Sequence, residues 1–233
     1  MALLIEATDL RYRYEDGTPG LDGVDFRLEA GETVVLLGGN GSGKTTFLLH
    51  LNGLLRGEGR LVVTGFPMEP RYLPDIRRRV GLVFQDADEQ LLMPSVLEDV
   101  AYGPLNTGLL PKEAERKARS ALAAVGLETL AERAPYHLSG GEKRKVAIAG
   151  ILAMSPEILV LDEPTTSLDP PSQRDLVKIL RDLPQAKIVT THNTAFARAI
   201  GTRAVFFEKG KVAGEGSVDE LIARFGWGIT LRS

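Results

Sequence analysis

Residues Gly38 to Thr45 read GGNGSGKT, directly after the apolar run TVVLL and leading into TTFLLHLNGLL from Thr45, whose apolar residues recur at helical spacing. Few segments restrict a fold so tightly. Glycines at the end of a buried strand let the chain turn sharply and aim its free N–H groups at one point, at the positive end of the helix that follows. That geometry holds phosphate. The segment fits G-x-x-x-x-G-K-[ST] in the strand-to-helix setting the pattern requires. Lys44 brings a point charge for β- and γ-phosphates, and the Thr45 hydroxyl suits a Mg²⁺ ligand. Gly38, Gly39, Asn40, Gly41, Ser42, Gly43, Lys44, Thr45 and Thr46 are therefore candidate nucleotide contacts. A turn that only joined strand to helix would not call for Lys44 and Thr45 at these places.

The remaining chain contains the strands that such a loop needs. TVVLLG (Thr33 to Gly38), RVGLVF (Arg79 to Phe84), EILVLD (Glu157 to Asp162), AKIVTT (Ala186 to Thr191) and AVFFEKGKVAGEG (Ala204 to Gly216) are short, β-branched and apolar on both faces. Such runs predict a parallel sheet covered by helices, and so an α/β class. The first 30 residues alternate apolar and polar positions, which predicts an antiparallel sheet at the front. Between Asp86 and Met154 strand signals vanish, and PKEAERKARSALAAVG carries Ala114, Ala118, Ala121, Leu122 and Val125 at helical spacing after a Pro suited to a first turn. The expected organisation is one domain over 1–233, with a core from 1–85 and 155–233 and a helical insert over 86–154.

Composition removes several function classes. Lys and Arg total 28 against 31 Asp and Glu, a net charge of -3, so there is no global basic footprint and nucleic acid is not the expected partner. Cysteine is absent, which excludes disulfides and thiolate metal sites. The apolar runs fall far short of the roughly 20 residues that span a bilayer, and the start lacks a secretory pattern. The expected location is cytoplasmic, with any membrane role supplied by a partner.

Two further motifs carry chemistry. ILVLDEP (Ile158 to Pro164) ends a buried strand on adjacent acids, where Asp162 suits a Mg²⁺ ligand and Glu163 suits a group that polarises the attacking water. HLSGGEKRKVAIAG (His137 to Gly150) places a serine and two glycines before a helical run, a second helix end able to hold phosphate.

GGNGSGKT, LSGGE, a strand ending in DEP, then SLD, then a strand followed by His, in that order, resemble the ATP-binding cassette (ABC) ATPases over nearly the whole chain. The resemblance implies a P-loop NTPase core with a mixed sheet, an antiparallel β subdomain and an inserted α-helical signature subdomain. It implies ATP and Mg²⁺ as ligands. Tyr14 resembles the aromatic residue that stacks on adenine, with Tyr12 as the alternative. Gln85 resembles the glutamine that reaches Mg²⁺ and the water, and His192 the switch histidine that contacts the γ-phosphate. Ser167, Leu168 and Asp169 resemble the loop between subunits. Ser139, Gly140, Gly141 and Glu142 resemble the signature, which in this family lies far from the P-loop of its own chain and caps ATP held by another. Asn193 departs from the Asp that many relatives carry, which weakens a support to the histidine loop. His50 and His137 read as packing or surface residues.

FQDADEQLLMPSVLEDVAYGPLNTGL (Phe84 to Leu109) resembles the ATPase subunits of energy-coupling-factor importers and their cobalt and nickel relatives. This implies two partners: a second ABC ATPase chain, identical or paralogous, and an integral membrane subunit. Asp86, Asp88, Glu89 and Gln90 are expected as the exposed residues beside the groove for the latter. The tail RFGWGITLRS is shorter than in longer members of this subgroup, which leaves dimerisation without nucleotide open. The competing expectation is a soluble ABC ATPase in iron–sulfur assembly or DNA repair. The transported solute, a metal ion or a vitamin, is not encoded in this chain.

Overall fold

The computed structural model describes residues 2–86 and 90–228. Two sheets organise them. The first joins β1 (Leu3–Arg13), β2 (Pro19–Glu29), β4 (Glu58–Val63) and β5 (Phe66–Pro67) in the order β2-β1-β4-β5, all antiparallel. The second joins β3 (Thr33–Leu37), β6 (Val80–Val83), β7 (Ile158–Leu161), β8 (Ala186–Thr190), β9 (Arg203–Glu208) and β10 (Lys211–Gly216) in the order β10-β9-β3-β8-β7-β6. Five of these strands run parallel and β10 returns antiparallel at the edge, so the sheet is mixed. The run Ala204 to Gly216, expected as one strand, is therefore a hairpin. Lys209 and Gly210 both have positive φ, the backbone of a two-residue turn whose twist matches its strands.

The central strands are apolar on both faces because both faces are covered. Successive side chains point to opposite sides. Val35, Leu37, Val83, Leu159, Leu161 and Val189 join one buried cluster, shared with the helices, while Val34, Leu36, Leu82, Ile158, Val160 and Ile188 join another, shared with the antiparallel sheet. Helices α1 (Lys44–His50) and α2 (Leu73–Arg79) serve the second cluster through Phe47, Leu48 and Ile76; α6 (Pro170–Asp182), α7 (Thr194–Ile200) and α8 (Val218–Arg224) serve the first through Leu176, Phe196 and Leu221.

Between β6 and β7 lie α3 (Val96–Asn106), α4 (Pro111–Ala124) and α5 (Gly140–Leu152). Ser95 caps α3 through a reciprocal pair of bonds with Glu98, which satisfies two orphan N–H groups. Ala114, Ala118, Ala121 and Leu122 form the buried stripe of α4, as their spacing predicts.

Candidate active site

The loop between β3 and α1 has a shape only glycine permits at its two ends. A Cβ on Gly38, at φ +138°, would fall 2.2 Å from the Phe207 carbonyl oxygen, and one on Gly43, at φ +103°, 2.7 Å from that of Gly20. Lys44 is buried, and its Nζ donates to the carbonyls of Gly38 (2.7 Å) and Gly39 (3.0 Å). Burial pulls its ammonium below the ordinary lysine value, partly offset by the nearby carboxylates of Glu163 and Asp162.

Parallel pairing of β7 with β8 brings the ends of both strands to this loop. Asp162 is fixed by two hydroxyls: Thr45 donates to Oδ2 (2.9 Å) and Thr190 to Oδ1 (2.5 Å). Thr190 Oγ1 also accepts the Glu163 N–H at 2.8 Å, so one hydroxyl at the end of β8 sets both acids. Glu163 has φ +44°, an uncommon conformation for a side chain of its size. Its Oε2 accepts the His192 N–H (3.2 Å), while Oε1, buried and without a hydrogen-bond partner among the described residues, lies 3.2 Å from His192 Nε2. Burial pushes the Glu163 carboxyl above the ordinary glutamate value, against the pull of His192 and Lys44.

These groups line one cleft of about 340 Å³, with Tyr14, Asn40 to Thr46, Gln85, Asp162, Glu163 and His192 on its walls. Tyr14 stands on its rim, 39% exposed, held by a 2.7 Å hydrogen bond with Thr46 Oγ1. Tyr12 is not on that wall; it packs edge-on between Tyr14 and His50. His50 is buried against Thr46, and His137 is a surface residue, as expected.

Among the described residues no group of three or more His, Cys, Asp and Glu gathers as a metal site. A Mg²⁺ that takes most of its ligands from phosphate and water needs no such cluster, and the Thr45–Asp162 pair fits it. The unpartnered Ser42 Oγ and Glu163 Oε1 are further polar atoms facing this region with bonds still to make.

A second cleft, of about 620 Å³, lies beside the first and is bordered by Thr45, Gln85, Asp162, Gly140, Arg144 and Leu168. Gln85 thus borders both. Of the four signature residues only Gly140 reaches this second cleft, and none is on the wall of the first. Ser139 caps α5: its Oγ accepts the Glu142 N–H, and Glu142 Oε2 accepts the Ser139 N–H at 2.7 Å. Ser139 and Gly140 are exposed, and half-buried Gly141 faces Ser172, whose Oγ a Cβ there would approach to 2.7 Å. Asp169 caps α6 through the Ser172 N–H rather than entering either cleft.

Gln90 differs from expectation. Its amide accepts the Phe84 N–H at 3.0 Å and donates to the Leu82 carbonyl, because β6 is a sheet edge whose backbone groups need partners. Asp86 is exposed as expected, and Asp88 and Glu89 lie outside the described residues. Asn193 keeps its support to the histidine loop: Oδ1 caps α7 at Phe196, and Nδ2 donates to Gln173, which donates in turn to the Leu168 carbonyl. Two contributors carry no sequence signal at all. Thr190 sits in an ordinary strand, and Arg144, in the middle of α5, donates to the carbonyls of Phe84 and Gln85.

The "ABC transporter" family model matches residues 21–166, which include the loop, the signature and the acid pair. The chain belongs to the ABC transporter ATPases. This ABC ATPase is 44% identical over 226 residues to the energy-coupling factor transporter ATP-binding protein EcfA of Methanocaldococcus jannaschii, covering 94% of this chain and 81% of that protein. It superposes on CbiO1 of Clostridium perfringens, part of the ABC transporter complex CbiONQ, with a TM-score of 0.88 at 34% identity, covering 97% of this chain and 92% of that one. It also matches the dimeric, post-hydrolysis structure of the ATP-binding cassette MJ0796 bound to ADP and Pi, with a TM-score of 0.80 at 28% identity over 93% and 99% of the two chains. It is thus an ABC transporter ATPase subunit that binds ATP and hydrolyses it to ADP and phosphate.

Proposed function

We propose that this subunit drives an energy-coupling-factor type importer for a metal ion such as cobalt or nickel, or for a vitamin, working as one half of an ATPase dimer on the cytoplasmic face of the membrane. The observation that carries the reading is the separation of its two phosphate-binding helix ends: Ser139, Gly141 and Glu142 stand off the cleft that Tyr14, Lys44, Glu163 and His192 line. A second chain, identical or paralogous, would bring its own Ser139, Gly140 and Gly141 to the γ-phosphate held by Lys44 here. ATP then binds the closed dimer better than the open one, and hydrolysis removes that differential affinity.

Within the cleft, Tyr14 offers a ring face to adenine and the N–H groups of the loop hold the phosphates. Thr45, Asp162 and Gln85 would hold Mg²⁺, which neutralises charge developing on the phosphate oxygens. Glu163 accepts a proton from the attacking water, and His192, at 3.2 Å, keeps that carboxylate and the water in line.

The helical insert supplies the docking face. Of the eight large exposed apolar residues among those described, Leu92, Tyr102, Leu105, Leu110 and Tyr136 lie between β6 and β7. No described helix is long and apolar enough to cross a membrane, and in this reading a membrane subunit would cover these side chains. The relatives named as an energy-coupling factor transporter ATP-binding protein and as part of the CbiONQ transporter complex support the same class. Affinity purification of the tagged chain from detergent-solubilised membranes tests it. A small multispanning protein should copurify; a soluble scaffold protein in its place overturns the proposal.

A further inference from the structure

Beyond α8 the chain turns back toward the active cleft. Trp227 N–H bonds to the Ile222 carbonyl at 2.9 Å, and Gly226 and Gly228 both have positive φ. A Cβ on Gly228 would fall 2.5 Å from Thr194 Cγ2, so this turn lies directly against the start of α7, two residues after His192. The Trp227 ring faces the His192 imidazole with centroids 5.4 Å apart and planes inclined by 31°, within the range of favourable aromatic pairs. Trp227 is itself held edge-on by Phe206 of β9 at 5.5 Å, and Phe206 stacks on Phe225 at 3.9 Å. An aromatic column therefore runs from the sheet to the imidazole.

His192 needs such a support. Its side chain is 45% exposed and pairs with Glu163 on one side and Trp227 on another. An exposed histidine with one polar neighbour can rotate away from the cleft, and a displacement of about 1 Å in a positioned group can cost up to ~10²-fold in rate. We propose that Trp227 is a positioning residue that holds the His192 ring in the orientation facing Glu163. The inference rests on His192 acting at the γ-phosphate.

The test separates the two. Trp227→Leu keeps an apolar filler but removes the flat face, and Trp227→Phe restores a face. In steady-state assays of the full chain, Trp227→Leu should lower kcat about tenfold with KM for ATP within about twofold, and Trp227→Phe should keep turnover within about twofold of the parent. Trp227→Leu at parental kcat, while His192→Asn has lost turnover, overturns this inference alone. Trp227→Phe as slow as Trp227→Leu also overturns it, since burial and not the ring face would then matter. His192→Asn at full turnover overturns the reading of His192 beneath it.

Spectroscopy reads the contact itself, because the chain has one tryptophan. Trp227 emission should differ in intensity or wavelength between the parent and His192→Asn, which removes the facing ring. Identical emission in the two proteins overturns the contact. The charged group facing His192 is Glu163, which Lys44 and Asp162 influence in turn; on the flanking helices Arg224 lies over Phe225 at 5.2 Å, and Arg198 is paired with Asp219.

Discussion

A single hydroxyl, that of Thr190, sets the two carboxylates proposed to carry hydrolysis. By accepting from the Glu163 backbone and donating to Asp162 it gives adjacent acids different surroundings. Each Asp162 oxygen accepts a hydroxyl, whereas burial raises the Glu163 carboxyl, whose Oε1 makes no hydrogen bond among the described residues and lies 3.2 Å from His192 Nε2. The sign follows: a raised carboxyl takes up its proton at higher pH than an exposed glutamate, and the protonated form cannot accept a proton from water. The acid limb of the kcat–pH profile should therefore lie above the ordinary glutamate range, with turnover lost as pH falls through it. Glu163→Gln should bind ATP normally and lose on the order of 10²-fold or more in turnover, the range for removal of a general base. A nucleotide-binding titration run beside the assay checks both halves.

At the scale of elements, α5 ties the insert to the core. Arg144 reaches from the middle of that helix to the carbonyls of Phe84 and Gln85, so any movement of α5 is passed to the loop that borders both clefts. Its guanidinium is desolvated and its Nε unpartnered, so replacing it by an apolar side chain removes a cost as well as two bonds. Arg144→Met is accordingly expected to change thermal stability by no more than ~1–2 kcal/mol while reducing partner-stimulated ATPase far more than basal ATPase. This link was illegible in the sequence, since an arginine inside a helix usually points to solvent and its partners lie about sixty positions away. The same holds for Thr190 and for Trp227, whose roles arise from strand order and from a turn after α8. By contrast, the buried strands, the stripe of α4 and the glycine loop were legible, because each is fixed by neighbours a few residues off in the chain. The β9–β10 hairpin shows the limit: AVFFEKGKVAGEG is apolar and β-branched at its start, and only the Lys209-Gly210 turn divides it.

Across the whole molecule, the sheet carries one buried charge away from the site. Lys187 at the start of β8 donates to the carbonyls of Leu183 and Gln185, and burial lowers it to about 8. A depressed lysine is neutral in the folded state at a pH where the unfolded chain still holds the proton, so stability rises as pH climbs from about 8 toward the ordinary lysine value. Lys187→Met should flatten that rise in a series of thermal melts across this range.

The larger consequence of the proposed function is that neither helix end for phosphate would suffice alone. Lys44 and Glu163 share one cleft, and Ser139 and Gly141 stand outside it. The most direct test is to measure ATP binding and steady-state ATPase of Ser139→Arg together. Binding to the monomer should remain close to that of the parent protein while hydrolysis is lost, because the arginine blocks the contact that a second chain must make. Hydrolysis at the parental rate would contradict catalysis across the interface.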